Sequence, residues 1–244
     1  MDKKSFQPLN LADFLKSHLK SVKNLVVQNQ VPKISIKADG SPVTTLDLAL
    51  SEYIEKILLQ KFPQSVFYSE ENYSQWGFPL MALDPLDGTR EFMKGRSEWA
   101  VSLGYLENEK WQGEGWVYNP MTDEVFDGKT KLTFKEKKIY RGEVSHSEWE
   151  QNLYQGKKQD KFVIKPMGSI AYKLGRLSEG QSDFVVSLRD KNIWDIAGGT
   201  LLCEEQGIHF YSQGKRVTKV LPFYESPLIW CRPELFSDLS EIYS

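Results

Sequence analysis

The segment DPLDGT, residues 84–89, follows the apolar run LMAL of residues 80–83. The apolar run predicts a short buried strand, so Asp84 begins where that strand ends. A carboxylate in such a place is costly to bury unless it is coordinated or hydrogen-bonded. A tight turn here can gather Asp84, the Leu86 carbonyl and Asp87 around one point. Oxygen ligands of this kind suit a hard divalent cation such as Mg²⁺.

The rest of the segment favours the same interpretation. Pro85 stiffens the turn, and Gly88 permits a left-handed backbone conformation. A helix is expected to begin at Thr89, and the free backbone amides around Gly88, Thr89 and Arg90 can hold a phosphate group. The simpler alternative is that the two aspartates only form an Asx-turn and cap this helix.

Three other segments carry acidic residues beside turn or helix signals. Glu70 and Glu71 follow the predicted strand of residues 65–69. Asp195 stands at the start of a predicted helix of residues 194–205. The segment KADGSPVTTLD, residues 37–47, is the third. Each group alone is typical of a solvated loop or a helix cap, but their combination with DPLDGT favours a metal site.

The remaining pattern mixes helices and strands without a regular repeat, which indicates layered α and β structure. Predicted helices cover residues 10–28, the stretch after Thr44 or Thr45, 169–178 and 233–243, and predicted strands cover 162–165, 183–187, 208–211 and 227–231. Residues 99–128 alternate as in an antiparallel meander. Residues 129–141 are lysine-rich and predict a charged loop or edge strand.

Composition excludes several classes of function. The 244 residues are 40% hydrophobic and 26% charged, with a formal net charge of −2, as in an ordinary soluble domain. The charge offers no basic field for a nucleic acid polymer or an anionic membrane. No apolar run is long enough for a secretory signal or a membrane span, so a cytoplasmic protein is expected. Cys203 and Cys231 stand in apolar surroundings and predict buried thiols.

Two motifs together resemble the inositol monophosphatase superfamily of lithium-sensitive, Mg²⁺-dependent phosphatases. They are D-P-[LI]-D-G-T, here residues 84–89, and W-D-x-A-[AG]-G, here beginning at Trp194. The resemblance implies an α+β fold, a layered α/β/α/β/α sandwich. It implies an N-terminal lobe, residues 1–142, with most metal ligands, and a C-terminal lobe, residues 143–244, that supplies Asp195 and substrate contacts.

The resemblance also implies roles for single residues and two or three Mg²⁺ ions. The first metal would be held by Glu70, Asp84 and the Leu86 carbonyl, and the second by Asp84, Asp87 and Asp195. One ion would activate the attacking water and another would stabilise the leaving alkoxide. Glu70 would also serve catalysis, together with Thr89 and Asp39, which orient the water. Asp47 would lie behind the metals, and Glu71 would have a supporting role.

The branch of the family is indicated by weaker signals. Arg90-Glu91-Phe92 and the segment GSIAYKLGRLSEG, residues 168–180, resemble the bacterial 3′(2′),5′-bisphosphate nucleotidases. That branch removes the 3′-phosphate from 3′-phosphoadenosine 5′-phosphate. The predicted substrate-binding residues are Gly88, Thr89, Ser169 and Lys173, with Gly168 beside them and with Arg189 or Lys191 at a second phosphate.

Several alternatives stay open at this point. Lys173, Arg189 and Lys191 are equally compatible with solvated surface charges, and Arg90 could simply pair with Glu91. His146 is of interest because a Ser-His pair at this place lies near substrate in some nucleotide-hydrolysing relatives. An inositol or sugar monophosphatase is the second hypothesis, and a non-catalytic metal- or phosphate-binding protein is the third. The expected partner is a small phosphorylated substrate, and a homodimer is compatible with the sequence.

Overall fold

A computed structural model describes residues 11–37, 40–73, 75–157 and 160–243. Eight helices and fifteen strands alternate along these residues. The helices are α1 Leu11–Lys16, α2 Leu19–Gln28, α3 Thr45–Lys61, α4 Thr89–Met93, α5 His146–Glu150, α6 Ile170–Ser178, α7 Ile193–Glu205 and α8 Pro233–Tyr243. The strands are β1 Ile34–Ile36, β2 Pro42–Thr44, β3 Val66–Ser69, β4 Leu80–Asp87, β5 Ala100–Leu106, β6 Gly113–Asn119, β7 Glu124–Phe126, β8 Tyr140–Ser145, β9 Phe162–Met167, β10 Phe184–Ser187, β11 Lys191–Asn192, β12 His209–Ser212, β13 Lys215–Arg216, β14 Phe223–Tyr224 and β15 Leu228–Cys231.

The first large sheet has five strands in the order β3-β4-β5-β6-β7. β3 and β4 are parallel, and the other neighbours are antiparallel. The meander predicted for residues 99–128 is therefore confirmed as β5, β6 and β7. The parallel pair matters for the site, because the carboxyl ends of β3 and β4 lie at the same edge of the sheet. Glu70, which follows β3, and Asp84, near the end of β4, therefore lie at that edge.

The second large sheet has six strands in the order β13-β12-β15-β10-β8-β9. Its three strands β9, β8 and β10 run parallel, and the rest are antiparallel. The charged stretch before it forms a loop that ends where β8 begins at Tyr140. The predicted lobe boundary between residues 142 and 143 lies within β8, and the division into lobes stays a prediction.

Helices α6 and α7 lie between the two large sheets. α7 contacts β4, β5 and β6 on one side and β12 on the other, while α6 contacts β5 and β6 as well as β10. α3 covers the outer face of the first sheet, and α8 covers the second. The result is the predicted α/β/α/β/α sandwich, with a central apolar core that includes Ala82, Leu174 and Trp230.

Glycines allow α7 to lie unusually close to the first sheet. A Cβ atom at Gly104 would stand 2.6 Å from the Ala197 Cβ, and one at Gly198 would stand 2.8 Å from the Leu103 carbonyl oxygen. Neither distance leaves room for a methyl group. The contact fixes the height of α7 above β5, and with it the place of Asp195 in the first turn of α7.

The N-terminal helical region differs from its prediction. The helix predicted for residues 10–28 is interrupted, because Ser17 and His18 form a turn with bonds to the Phe14 and Leu15 carbonyls. The Ser17 hydroxyl also donates to the Phe14 carbonyl at 2.7 Å. Such a side-chain bond competes with the backbone hydrogen bonds of a continuous helix. Neither these two short helices nor any other helix in the described residues is long and apolar enough to cross a membrane.

Candidate active site

Strand β4 continues through the first half of DPLDGT instead of ending at Leu83. Asp84 pairs with Ser102 and Asp87 with Ala100, and the register shifts between the two aspartates. The extra length between these pairs is a β-bulge, which bends the strand between Asp84 and Asp87. Asp84 is 2% exposed, and its Oδ1 accepts the N–H of Leu86 at 2.9 Å. The Asx-turn considered above is therefore present. It engages one of the four carboxylate oxygens of Asp84 and Asp87, so the turn alone does not account for both side chains.

The predicted turn and helix start are found at Gly88 and Thr89. Gly88 has φ +99°, and α4 begins at Thr89. A Cβ at Gly88 would stand 3.0 Å from the Trp99 Cβ and 3.2 Å from the Glu98 carbonyl oxygen, so glycine is required by conformation and by space.

The Thr89 hydroxyl lies between two groups of the predicted site. It stands 3.0 Å from Asp47 Oδ1 and 3.1 Å from the Leu86 carbonyl oxygen, and donates to one of them. The other Asp47 oxygen accepts the N–H and hydroxyl of Thr44 at 2.8 and 2.5 Å. Burial raises the pKa of Asp47, and the hydrogen bonds from Thr44 and Thr89 oppose that rise. Asp47 thus holds Thr89 in position from behind.

Four carboxylates converge at the edge of the first sheet. Glu70 follows β3, Asp84 and Asp87 lie on β4, and Asp195 comes from α7. Burial raises the pKa of Asp84 well above its ordinary value, and the charges of the other three raise it further. Burial also raises the pKa of Asp195 to about 7, although Lys191 opposes the rise.

This electrostatic arrangement fits a bound cation. Buried like charges destabilise one another unless a counter-charge lies among them. Carboxylate oxygens together with a backbone carbonyl, here that of Leu86, are the donors that Mg²⁺ prefers. The predicted ligands are therefore brought together in a form that a divalent cation would stabilise. Asp39 lies outside the described residues.

Lys37 partly neutralises one side of this cluster. Its Nζ lies 2.7 Å from Glu70 Oε1 and 2.7 Å from Glu71 Oε1. Burial lowers the pKa of Lys37, but the hydrogen bonds to both glutamates outweigh burial and raise it above the ordinary value. Glu71 thus shares Lys37 with Glu70, and its supporting role stays a prediction. Sequence reasoning did not anticipate the ion pair, because it depends on folding of the β1–β2 hairpin.

Asp87 connects the first sheet to α6. Its Oδ2 accepts the Ser169 hydroxyl at 2.5 Å and the Ala171 N–H at 2.6 Å. Ser169 has φ +53° and also caps α6 by accepting the Tyr172 N–H at 2.9 Å. Ser169 was predicted to bind substrate, whereas its hydroxyl is engaged with Asp87 in this structure.

A cavity of about 240 Å³ opens beside the carboxylates. It is lined by most of the predicted substrate-side residues, namely Gly88, Thr89, Gly168, Ser169, Lys173 and Lys191. Ser145, Ser147 and Ser187 also line it. Arg189 differs from the prediction: it is exposed and donates to the Gln151 side chain instead of lining the cavity.

Lys173 is the most unusual residue of this cavity. It is 2% exposed, and its Nζ donates to the Met167 carbonyl at 3.1 Å. Burial lowers its pKa, and the charges of Asp87 and Glu148 oppose that effect. The interpretation of Lys173 as a solvated surface charge is therefore wrong. Lys191 also lines the cavity, and its Nζ donates to the Asp190 carbonyl at 3.0 Å.

A second polar group lies beside the cavity. His146 Nε2 stands 2.6 Å from Glu98 Oε2, which also accepts the Gly168 N–H at 2.8 Å. Burial raises the pKa of Glu98, but these two partners outweigh burial and lower it overall. Glu91, Glu98 and His146 offer ligand atoms within 4.8 Å of one another, apart from the predicted metal ligands. Glu98 has no motif around it, so the sequence carried no signal for it.

The alternative in which Arg90 pairs with Glu91 is wrong. Arg90 is exposed, and Glu91 accepts instead from Arg96 Nη1 at 2.7 Å. The loop after α4 turns back and brings Arg96 to the buried carboxylate. Glu91 itself is 7% exposed and lines the cavity.

Comparisons with known proteins agree on one family. The sequence profile described as the inositol monophosphatase family matches residues 9–227. Inositol monophosphatase 3 of Solanum lycopersicum is 33% identical over 195 residues, which cover 68% of this chain and 71% of that protein. The 3′(2′),5′-bisphosphate nucleotidase CysQ of Escherichia coli is 28% identical over 199 residues, covering 73% and 80%.

Solved structures share the fold. An IMPase of Thermotoga maritima has a TM-score of 0.81 at 23% identity, covering 96% of both chains. A lithium-soaked inhibitory complex of Staphylococcal inositol monophosphatase-1 has a TM-score of 0.77 at 17% identity, covering 95% of this chain and 93% of that one. At these identities the likeness concerns the fold.

Proposed function

Since the chain belongs to the inositol monophosphatase family and is therefore a phosphoric monoester hydrolase, we propose that its substrate is 3′-phosphoadenosine 5′-phosphate, which it converts to AMP and phosphate. The family is Mg²⁺-dependent in general. The proposal therefore includes Mg²⁺ held by Glu70, Asp84, the Leu86 carbonyl, Asp87 and Asp195. Bound there, Mg²⁺ would supply positive charge to the phosphoryl group during transfer.

The observation that carries the substrate proposal is the buried ammonium of Lys173. A buried lysine without a carboxylate at hydrogen-bond distance is costly, and a second anion in the cavity would offset that cost. An inositol or sugar monophosphate carries one phosphate group, and the Mg²⁺ held by the carboxylates would bind that group. A bisphosphate brings another, and Lys173 and Lys191 line the cavity where it would lie.

The protein groups have defined tasks in this proposal. Asp47 and the Leu86 carbonyl hold the Thr89 hydroxyl at the edge of the carboxylate cluster. Through its lone pairs that hydroxyl can accept a hydrogen bond from a water molecule and so orient it. Asp87 keeps its orientation through Ser169 and Ala171. These contacts fix the reacting groups before substrate arrives, which is the main contribution of a protein to phosphoryl transfer.

A second candidate is an inositol monophosphatase, favoured by the identity to the Solanum lycopersicum protein. Phosphate release with Mg²⁺ from 3′-phosphoadenosine 5′-phosphate, inositol 1-phosphate and fructose 1,6-bisphosphate, measured in parallel, separates the candidates. The proposal requires the highest kcat/KM on the nucleotide. Preference for inositol 1-phosphate would reject it.

The second phosphate is tested by a matched pair of substrates. Adenosine 3′-monophosphate lacks the 5′-phosphate, so wild type should prefer the bisphosphate, and Lys173→Met should remove that preference. Lys165→Met is the control, because Lys165 on β9 is exposed and pairs with Glu143. An equal preference in Lys173→Met and wild type would contradict the assignment of Lys173.

A further inference from the structure

Glu98 lies between the two glycines that line the cavity of about 240 Å³. A Cβ atom would stand 3.2 Å from the Glu98 carbonyl oxygen at Gly88 and 2.5 Å from it at Gly168. The Glu98 side chain accepts the Gly168 N–H at 2.8 Å and lies 2.6 Å from His146 Nε2. Glu98 itself does not line the cavity. Its contacts with the site therefore run through the residues that it holds.

The residue that follows Gly168, Ser169, has φ +53° and ψ 121°, a strained combination that residues with a Cβ rarely adopt. Such a conformation persists only where its surroundings fix it on more than one side. On one side, Glu98 holds the Gly168 N–H. On the other, Asp87 accepts the Ser169 hydroxyl at 2.5 Å and the Ala171 N–H at 2.6 Å. Glu98 and Asp87 are thus linked through this strained segment.

The Glu98 carboxylate is itself fixed by a third segment. His146 begins α5 and contacts the same Glu98 oxygen that accepts the Gly168 N–H. A carboxylate forms a stronger hydrogen bond than a neutral acceptor does. Without this acceptor Ser169 could relax to an ordinary φ, and its hydroxyl would turn away from Asp87. The structure therefore contains a route from Glu98 to the orientation of Asp87.

We propose that Glu98 is a positioning residue for Asp87. By holding Gly168 it keeps the Ser169 hydroxyl on Asp87 Oδ2, and the carboxylate stays in the orientation in which it would hold Mg²⁺. Asp87 Oδ1 accepts no hydrogen bond within the described part of the chain, so that oxygen is available to a cation. The inference rests on the proposed function, because it takes Asp87 to be a metal ligand. Groups that orient a metal ligand contribute to metal affinity.

The link between Glu98 and Ser169 is tested first without metal. Glu98→Met removes the acceptor, and Ser169→Ala removes the hydroxyl that reaches Asp87. In urea unfolding with EDTA, the double variant should lose less stability than the two single losses added together, because either change alone releases the segment. Glu98→Asp keeps the charge but shortens the side chain by one methylene, so it should give the same result, also if Glu98→Met does not fold. Additive losses with both replacements would overturn the inference.

Metal affinity measures the consequence of the link. Mn²⁺ takes the same kinds of oxygen ligand as Mg²⁺, and the EPR signal of the free ion reports its binding without turnover. Glu98→Met and Glu98→Asp should weaken Mn²⁺ binding about tenfold. Glu98→Gln should restore most of the affinity, because its amide oxygen can still accept the Gly168 N–H. Glu52→Met, on an exposed face of α3, is the control and should bind Mn²⁺ as wild type does.

Asp87→Asn, measured in the same way, separates failure of the inference from failure of the proposed function. Weaker binding in Asp87→Asn with unchanged binding in the Glu98 variants would overturn the inference alone. Unchanged binding in Asp87→Asn would reject the metal assignment of the proposed function, and the inference with it. Weaker binding in Glu98→Met and Glu98→Asp that Glu98→Gln recovers supports the inference, whichever phosphate ester the enzyme hydrolyses.

Discussion

Replacing Asp195 with asparagine should stabilise the metal-free protein at neutral pH. Burial raises the pKa of the Asp195 carboxyl from 3.8 to about 7. A group whose pKa is higher in the folded than in the unfolded state contributes stability below the unfolded pKa. That contribution is lost as pH rises through the folded pKa. Without metal, wild type should therefore lose stability between about pH 4 and pH 7.

The size of the effect follows from the pKa. Each tenfold change in proton affinity corresponds to about 1.4 kcal/mol, so the Asp195 carboxylate costs the folded state about 4 kcal/mol above pH 7. Because the Asp195 side chain is partly exposed to solvent, which screens its charge, we expect a cost of about 2–4 kcal/mol. An asparagine side chain cannot ionise, and its amide oxygen can still accept the Asn192 N–H that Asp195 accepts at 2.9 Å. The substitution removes the charge and keeps the helix cap.

The assay is thermal unfolding followed by circular dichroism in EDTA at pH 5 and pH 7.5. Asp195→Asn should exceed wild type in Tm by roughly 5–15 °C at pH 7.5, since 1 kcal/mol shifts Tm by about 2–4 °C in a chain of this size. At pH 5 the difference should shrink. With saturating Mg²⁺ at pH 7.5 the order should reverse, because the wild-type carboxylate then contributes to cation binding.

The control is Asp238→Asn, because Asp238 pairs with Lys161 on the surface at 2.9 Å and is far less buried. It should leave the pH dependence unchanged. Equal Tm values for wild type and Asp195→Asn at pH 7.5 in EDTA would refute the reasoning. So would a wild-type stability that does not change with pH between 5 and 7.5.

Three further substitutions test other parts of the site. Asp87→Asn should abolish phosphate release because a carboxylate of the cluster is lost, while the circular dichroism spectrum stays native; near-normal activity would disprove its assignment as a metal ligand. Lys173→Met should lower kcat/KM for the bisphosphate about tenfold or more in steady-state kinetics, since a charged hydrogen bond contributes about 1.5–3 kcal/mol. The same variant should keep or raise the unfolding temperature, because a buried charge is removed, and a large fall would contradict this. Gly88→Ala should destabilise the fold by about 1–3 kcal/mol in urea denaturation, through left-handed backbone strain and contact with Trp99. Gly207 has φ +73°, and nothing lies within 4 Å of a Cβ added there, so Gly207→Ala measures the backbone strain alone. Equal losses of unfolding free energy in the two variants would show that contact with Trp99 contributes nothing.

The local signals in the sequence led to the right places. The turn after an apolar strand, the glycine with positive φ and the helix that begins at Thr89 all depend on neighbours in the chain. For the same reason Asp195 could be placed in the first turn of a helix. The parallel pairing of β3 with β4 then brings Glu70 beside DPLDGT, as the family resemblance implied.

What the sequence did not reveal depends on contacts between distant segments. Glu98 meets His146 and Gly168 only after the two sheets have packed around α6, and no pattern marks it beforehand. The pairing of Lys37 with Glu70 and the bond from Ser169 to Asp87 have the same origin. Of the two residues predicted for a second phosphate, Arg189 turns its side chain to Gln151, a choice that nothing in its own segment determines.

The packing of α6 and α7 between two sheets has a mechanical consequence. Because α6 and α7 contact both sheets, and α7 meets the first sheet at glycines without room for a methyl group, the helices resist sliding or hinge bending of one sheet against the other. At the periphery of this frame, β1 and β2 form a two-stranded hairpin whose first strand is exposed. Lys37, at the end of β1, ties this hairpin to Glu70 and Glu71. The exposed first strand of the hairpin is therefore linked through Lys37 to the carboxylate edge of a frame that resists internal sliding.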